Sequence, residues 1–278
     1  MGWRRTDRTP PPPAQSQAMV QPTRERPSAP SVESGSTPAS PAASAAASAS
    51  AAPSAPVAPG ASEAASTGQA PSDNRPAELE QRVQAVRDQA RAASNLDELR
   101  AAVAGCRACA LAESRTQTVF SDGDGSAEVM FVGEAPGYHE DAQGVPFVGP
   151  AGELLTDIIE KGMRLERKTV SICNVLKCRP PENRDPTVEE KALCTPWLDR
   201  QIELAAPRVI IPLGRHASGH MLRSEAPMGQ MRGRVHERDG RPVVPTYHPA
   251  YLLRSPEMKR VCWKDIQLAM GLLKPSDG

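Results

Sequence analysis

Six cysteines and a few scattered carboxylate, amide and imidazole side chains carry most of the chemistry open to this 278-residue chain. Cys106 and Cys109 form a Cys-x-x-Cys pair, while Cys178 and Cys194 bracket the proline-broken stretch CRPPENRDPTVEEKALC. Four such thiols in a reducing compartment, where disulfides are disfavoured, suggest a metal. Spacing alone admits a structural zinc as readily as an iron-sulfur cluster, and four unrelated buried cysteines is the plain alternative, because the second pair is wide. Cys173, inside an apolar run, and Cys262, on the last helical stretch, read as core residues. Away from the thiols, Glu134 stands in a GEAPG turn, Asn174 closes an apolar run, and His248 opens HPAYLLR. Taken singly, each has an ordinary reading as a surface cap, a strand-end amide or a His-Pro turn.

The elements around these residues decide whether they meet. Four short apolar runs, AEVMFVG (127–133), VSICNVL (170–176), RVIIPLG (208–214) and PVVPTYHP (242–249), alternate with segments of helical length. Those segments are GPAGELLTDIIEKGM, TVEEKALCTPWLDRQIELAA and GRHASGHMLR, and a last helix is expected near 257–273. Continuous apolar runs alternating with helices predict buried parallel strands in an α/β layer fold. Before them, 76–105 repeats apolar or Ala positions at helical spacing, with Asn95 as the expected N-cap of a second short helix. In an open parallel sheet the ligand site lies outside the carboxyl ends of the strands. The residues after each run should therefore share one rim: Gly133 to Gly137, then Asn174, then Gly214, Arg215 and His216, then His248 and Pro249. GEAPG lacks the GxGxxG pattern, and the second run ends in Asn174 where a dinucleotide fold wants an acid, so dinucleotide binding is set aside.

GEAPG with PFVGPAG, then NVLKCRPPENRDP, then TYHPAYLLR, in that order, resembles the uracil-DNA glycosylase superfamily and specifically its family 4, the iron-sulfur type. The resemblance covers about 105–269. It implies a three-layer αβα fold with a central, mainly parallel sheet, which agrees with the four strands expected from the apolar runs. It also implies that Cys106, Cys109, Cys178 and Cys194 hold a [4Fe-4S] cluster. Structural service is favoured over redox catalysis, since the group would tie the N-terminal helical segment to the loop after Asn174.

The same resemblance implies site roles. A base inside a duplex is out of reach, so the enzyme must extrude it and read it in a pocket. Phe147 would be the stacking platform, and Asn174 would donate to uracil O4 and accept from N3–H, a pattern that cytosine reverses. His248 would donate to O2 as the leaving base gathers charge. Other branches place an aspartate where this chain has Ala135, so Glu134 is expected to engage uracil or water, with Ala135 and Gly137 lining the pocket. Glu140 is expected to take part in catalysis or, with Asp141, to shape the pocket against the thymine methyl. Leu252 and Leu253 are read as a wedge for the gap left by the extruded nucleotide, or as core caps with equal weight, and Arg254 as a phosphate contact. Arg232 and Arg234, with Lys177, Arg179 and Arg184, complete the expected phosphate track. One superfamily branch joins covalently to uracil through a histidine in an arginine-rich insert, and no such insert follows Asn174. A rival reading is an iron-sulfur nucleotide- or DNA-binding module without glycosylase activity.

Composition bounds the rest. From Met1 to about Pro71 the chain is Pro, Ala and Ser in runs such as SAAASASAAPSAP, almost without branched aliphatic or aromatic side chains, which predicts a disordered tail over 1–73 and one domain over 74–275. Protein partners are expected to dock on that tail. A formal net charge of +0 argues against bulk positive charge as the main hold on nucleic acid. No segment reaches membrane-span length and the N-terminus has no apolar signal core, so a cytoplasmic protein with no membrane contact is expected. The resemblance implies uracil-containing DNA as its partner, and a monomer is expected. The myristoylation-like MGWRRT is read as a chance match, Trp3 being bulky.

Overall fold

A computed structural model describes residues 75–273. The expected tail, 1–73, lies outside the described residues. Two helices open the domain, α1 (Arg75–Ala92) and α2 (Leu96–Ala104), followed by one turn, α3 (Leu111–Ser114). The Asn95 side chain accepts from Glu98 N at 2.9 Å, so the N-cap expected from sequence is made.

The sheet follows, with helices on both faces. In chain order come β1 (Asp122–Gly123), β2 (Val129–Gly133), α4 (Tyr138–Gln143), α5 (Pro150–Asp157), β3 (Ser171–Asn174), α6 (Val188–Ala205), β4 (Val209–Pro212) and α7 (Gly214–Leu222). Then come α8 (Met228–Met231), β5 (His236–Arg238), β6 (Arg241–Val243), α9 (Pro249–Arg254) and α10 (Lys259–Gly271). The strand order is β1-β3-β2-β4-β6-β5. β3, β2, β4 and β6 are parallel, and β1 and β5 add antiparallel edges. Among the described residues the sheet therefore has six strands where four were expected. The two extra strands are only 2 and 3 residues long and partly exposed, so they carry no apolar run to betray them.

Alternation along β2 explains the layers. Val129 and Phe131 pack with Leu155 of α5, Leu252 of α9 and Ile266 of α10, while Met130 and Val132 pack with Leu198 of α6 and Ala217 of α7 on the other face. A third apolar cluster joins Val86, Leu99 and Val103 of α1 and α2 to Leu193 and Trp197 of α6. That packing carries the Cys106–Cys109 segment to the start of α6.

Register then fixes the rim. Gly133 lies opposite Asn174, Val132 opposite Pro212, and Leu213 bridges Thr246. The parallel strands thus end level with one another, and the residues that follow each tip emerge on one side of the sheet.

Candidate active site

A cleft of about 590 Å3 opens at that rim, and Glu134, Ala135, Gly137, Glu140, Phe147, Asn174 and His248 all line it. Its size falls in the roughly 300–1,000 Å3 range of ordinary small-ligand sites. Gly133 sits beneath it: a Cβ there would collide with Asn174 Oδ1 and with the Phe147 ring, so only glycine lets the two side chains close over the strand tip. Asn174 is 2% exposed and lines the cleft, with Lys177 Nζ donating to its backbone carbonyl at 2.8 Å.

Phe147 is held in the left-handed region at φ 56°, a conformation costing a non-glycine residue of order 1–3 kcal/mol. The loop around it is clamped from two sides. Glu140 Oε1 accepts from Val148 N at 3.0 Å and Gly149 N at 3.2 Å, and its Oε2 accepts from Gly137 N at 3.1 Å. Arg167 donates to Pro146 O at 2.9 Å while paired with Asp122. The Phe147 ring stands 5.6 Å from the His248 ring, tilted 31°.

His248 caps α9: its Nδ1 accepts from Ala250 N at 3.1 Å. Burial, reinforced by Arg254, pushes the imidazole down to about 4. The ring is therefore neutral at physiological pH, and because Nδ1 is an acceptor the proton resides on Nε2. Glu134 is the opposite case. Burial pushes its carboxyl up, only partly offset by His216, and Oε1 is buried without a hydrogen-bond partner among the described residues.

Cys106, Cys109, Cys178 and Cys194 line one small cavity together with Arg115, Lys177 and Trp197. All four are free thiols. Arg115 donates to Cys178 Sγ at 3.1 Å and Lys177 N to Cys194 Sγ at 3.3 Å, and among the described residues no carboxylate lines the cavity. Burial pushes the Cys178 thiol up to about 11 against the pull of Arg115, and the Cys194 thiol up to about 12. The indole N–H of Trp197 is buried with no acceptor among the described residues. Sulfur donors, N–H groups directed at them and an orphan donor all suit a thiolate-ligated group. Cys173 and Cys262 are buried elsewhere, in β3 and α10, as core residues.

Comparison with known proteins matches this arrangement to a family. Residues 120–267 match the uracil DNA glycosylase superfamily model. A type-4 uracil-DNA glycosylase of Sulfurisphaera tokodaii is 41% identical over 184 residues, 62% of this chain and 82% of that protein. One of Thermotoga maritima is 44% identical over 174 residues, 61% of this chain and 90% of that protein. The chain belongs to the type-4 branch of the uracil-DNA glycosylase superfamily. A type-5 enzyme of Pyrobaculum aerophilum is more distant, 32% identical over 146 residues, 47% of this chain and 64% of that protein.

In this type-4 chain several expected contacts are redirected. Leu252 is 1% exposed and belongs to the core, leaving Leu253, at 45%, as the only one of the pair free to meet DNA. Arg232 points its guanidinium at Asp265, at 2.9 and 2.7 Å, and at Val261 O, so it is an internal brace and not a phosphate contact. Lys177 is fully buried, bonded to Asn174 O at 2.8 Å and Gln201 Oε1 at 2.6 Å, and Arg184 grips Glu190 with both nitrogens. Runs of basic letters cannot show which cations have a partner inside the fold. Arg254 is exposed at the cleft margin. Glu140, expected to act in catalysis, has both oxygens engaged by three backbone N–H groups, the geometry of a brace; Asp141 is likewise engaged by Thr116 N.

Sequence reasoning missed two features. Tyr138, 63% exposed, carries Arg179 over its ring at 5.2 Å beside the cleft. Asp185 and His216 come together with Glu134, their ligand atoms within 4.8 Å of one another. His216 was visible as a strand-tip residue, but nothing local linked it to Asp185, 31 positions earlier.

Proposed function

We propose that the cleft hydrolyses the N-glycosidic bond of deoxyuridine extruded from DNA, leaving an abasic site, as an enzyme of base excision repair. The observation that carries this is the neutral His248, fixed by Ala250 N as an Nε2–H donor in the same cleft as the buried side chain of Asn174. The Phe147 ring stacks on the base. Asn174 donates from Nδ2 to O4 and accepts N3–H at Oδ1; cytosine leaves both groups facing like partners, which costs about 1–3 kcal/mol for each buried group left unsatisfied. His248 Nε2–H donates to O2, where negative charge collects as the C1′–N1 bond breaks. A neutral imidazole does this without first having to lose or regain a proton. Glu134, beside Ala135, accepts a hydrogen bond from the attacking water. Glu140 is a positioning residue that holds the Phe147 loop.

The four cysteines would hold a [4Fe-4S] cluster. When bound, that group supplies a rigid cross-link between the α2–α3 segment, the loop after Asn174 and α6, and no electron is called for by the hydrolysis. Leu253 and Arg254 face DNA, the leucine at the vacated stack and the arginine at phosphate. The test is incubation of purified protein with an oligonucleotide carrying one uracil, followed by alkali. Strand scission at the uracil is expected, and an intact strand would contradict the reading. Brown colour with broad visible absorption is expected of the same sample; a colourless, zinc-loaded and active protein would contradict the cluster assignment alone.

A further inference from the structure

Three segments distant in sequence bring a carboxylate, an imidazole and a second carboxylate within 4.8 Å of one another at one end of the cleft. Glu134 follows β2, His216 stands in the first turn of α7, and Asp185 lies in the segment before α6. His216 Nδ1 is 3.5 Å from Glu134 Oε1, and His216 Nε2 is 3.8 Å from Asp185 Oδ2. Burial falls away from Glu134 through His216 to Asp185. Glu134 Oε1 is buried and without a hydrogen-bond partner among the described residues, His216 is half-buried, and the Asp185 side chain is 81% exposed. Both gaps are slightly longer than a hydrogen bond, as catalytic contacts often are before substrate closes the site.

The reaction proposed above leaves a proton unaccounted for. As C1′–N1 breaks, its electron pair departs with uracil, and the water oxygen that bonds to C1′ must lose a proton. Ala135 offers no acceptor. Burial raises the basicity of the Glu134 carboxylate, which suits a general base, but a buried carboxyl that has taken a proton must release it before the next turnover. Lys191 and His216 favour its anionic form and Asp185 opposes it.

We propose that Glu134, His216 and Asp185 form a proton relay, in which His216 acts through Glu134 to carry the water proton from the cleft to solvent. The proposal rests on the glycosylase reading and goes beyond it. The proton passes from water to the Glu134 carboxylate and on to His216 Nδ1. The Nε2 proton of the same ring passes to Asp185 and then to bulk water, and proton exchange of the half-buried ring with solvent, Nδ1 losing its proton and Nε2 regaining one, restores the starting tautomer before the next turnover. Uracil leaves as the anion and takes one proton from solvent, so charge and atoms balance with no other reactant. The ring needs Nδ1 free and Nε2 protonated, the tautomer that an exposed Asp185 carboxylate favours. His216 is thus a positioning and relay residue, not one that touches the base.

The test compares wild type, His216→Gln, His216→Ala and Asp185→Asn on a uracil-containing oligonucleotide at saturating and limiting substrate. His216→Gln keeps a polar side chain but cannot ferry a proton; kcat is expected to fall about tenfold, less than the roughly 100-fold or more of a group acting directly on substrate, because water can replace part of the relay, with KM within about twofold. Asp185→Asn is expected to fall less, because water replaces an exposed carboxylate. Added imidazole is expected to restore part of the His216→Ala rate, which a merely structural role would not do. Wild-type kcat in His216→Gln, or a His216→Ala deficit untouched by imidazole, would overturn the relay while leaving the glycosylase reading intact. Wild-type protein that releases no uracil would overturn both.

Discussion

A buried histidine kept neutral has consequences for both rate and stability. The His248 imidazole titrates at about 4 when folded against an ordinary 6.5. Its folded value lies below its unfolded value, so its contribution to stability is complete above about pH 6.5 and is lost as pH falls from there to about 4. The loss is on the order of 3 kcal/mol for this nearly fully buried ring. Denaturant unfolding at pH 7 and pH 4.5 should therefore show a drop in wild type that is smaller in His248→Gln, which has no proton to gain. Uracil release by His216→Gln, which lacks the relay imidazole, should show no break near pH 6.5; a sigmoid there would mean that the His248 imidazole gains its proton in that range. At this scale the sequence was legible where one side chain has one job: Glu134, Phe147, Asn174 and His248 do line one cleft. It was illegible where a side chain could serve the fold or the ligand, because Glu140, Arg232 and Lys177 differ from free groups only through partners far along the chain.

Elements hold these residues by few contacts, and each can be removed. Glu140 joins the GEAPG turn, the Phe147 loop and the start of α5 through three charge-assisted bonds. Glu140→Ala releases Phe147 from its left-handed conformation, and a loss of about 2–4 kcal/mol of stability is expected, together with a larger fall in kcat/KM for single-uracil substrate than in Tm-matched core variants. A Glu140→Ala protein with normal kcat/KM would show that the brace is dispensable. The parallel core and its level strand ends could be anticipated, since continuous apolar runs separated by helices have few other ways to pack. The edge strands β1 and β5 could not, because pairing there depends on a neighbour's free backbone and not on side chains.

On the scale of the whole molecule, the cysteine centre and the cleft are joined by the segment that runs from Asn174 through Lys177 and Cys178 to α6. Thr187 and Glu190 close a capping box at the start of that helix, and Arg184 binds Glu190, so the loop is anchored at both ends. Cys178→Ser should give colourless protein of low solubility with weakened DNA binding, since metal and fold are coupled. Brown, fully active Cys178→Ser would show that the ligand set is wrong. With a formal net charge of +0 and several arginines engaged internally, DNA affinity should depend on few phosphate contacts. Arg254→Ala is expected to weaken binding equally across sequences and to lower the slope of affinity against salt by about 1. An unchanged slope would place Arg254 outside the interface. The central claim, that strand tips form one pocket which reads the edge of an extruded uracil, is tested most directly by base release from matched oligonucleotides carrying a single uracil or a single cytosine. Wild type should free uracil only, Asn174→Ala should free neither while binding DNA nearly as well, and Asn174→Asp, which puts an acceptor where the amide donates, should lose uracil and favour cytosine. Undiminished uracil release by Asn174→Ala would contradict the account.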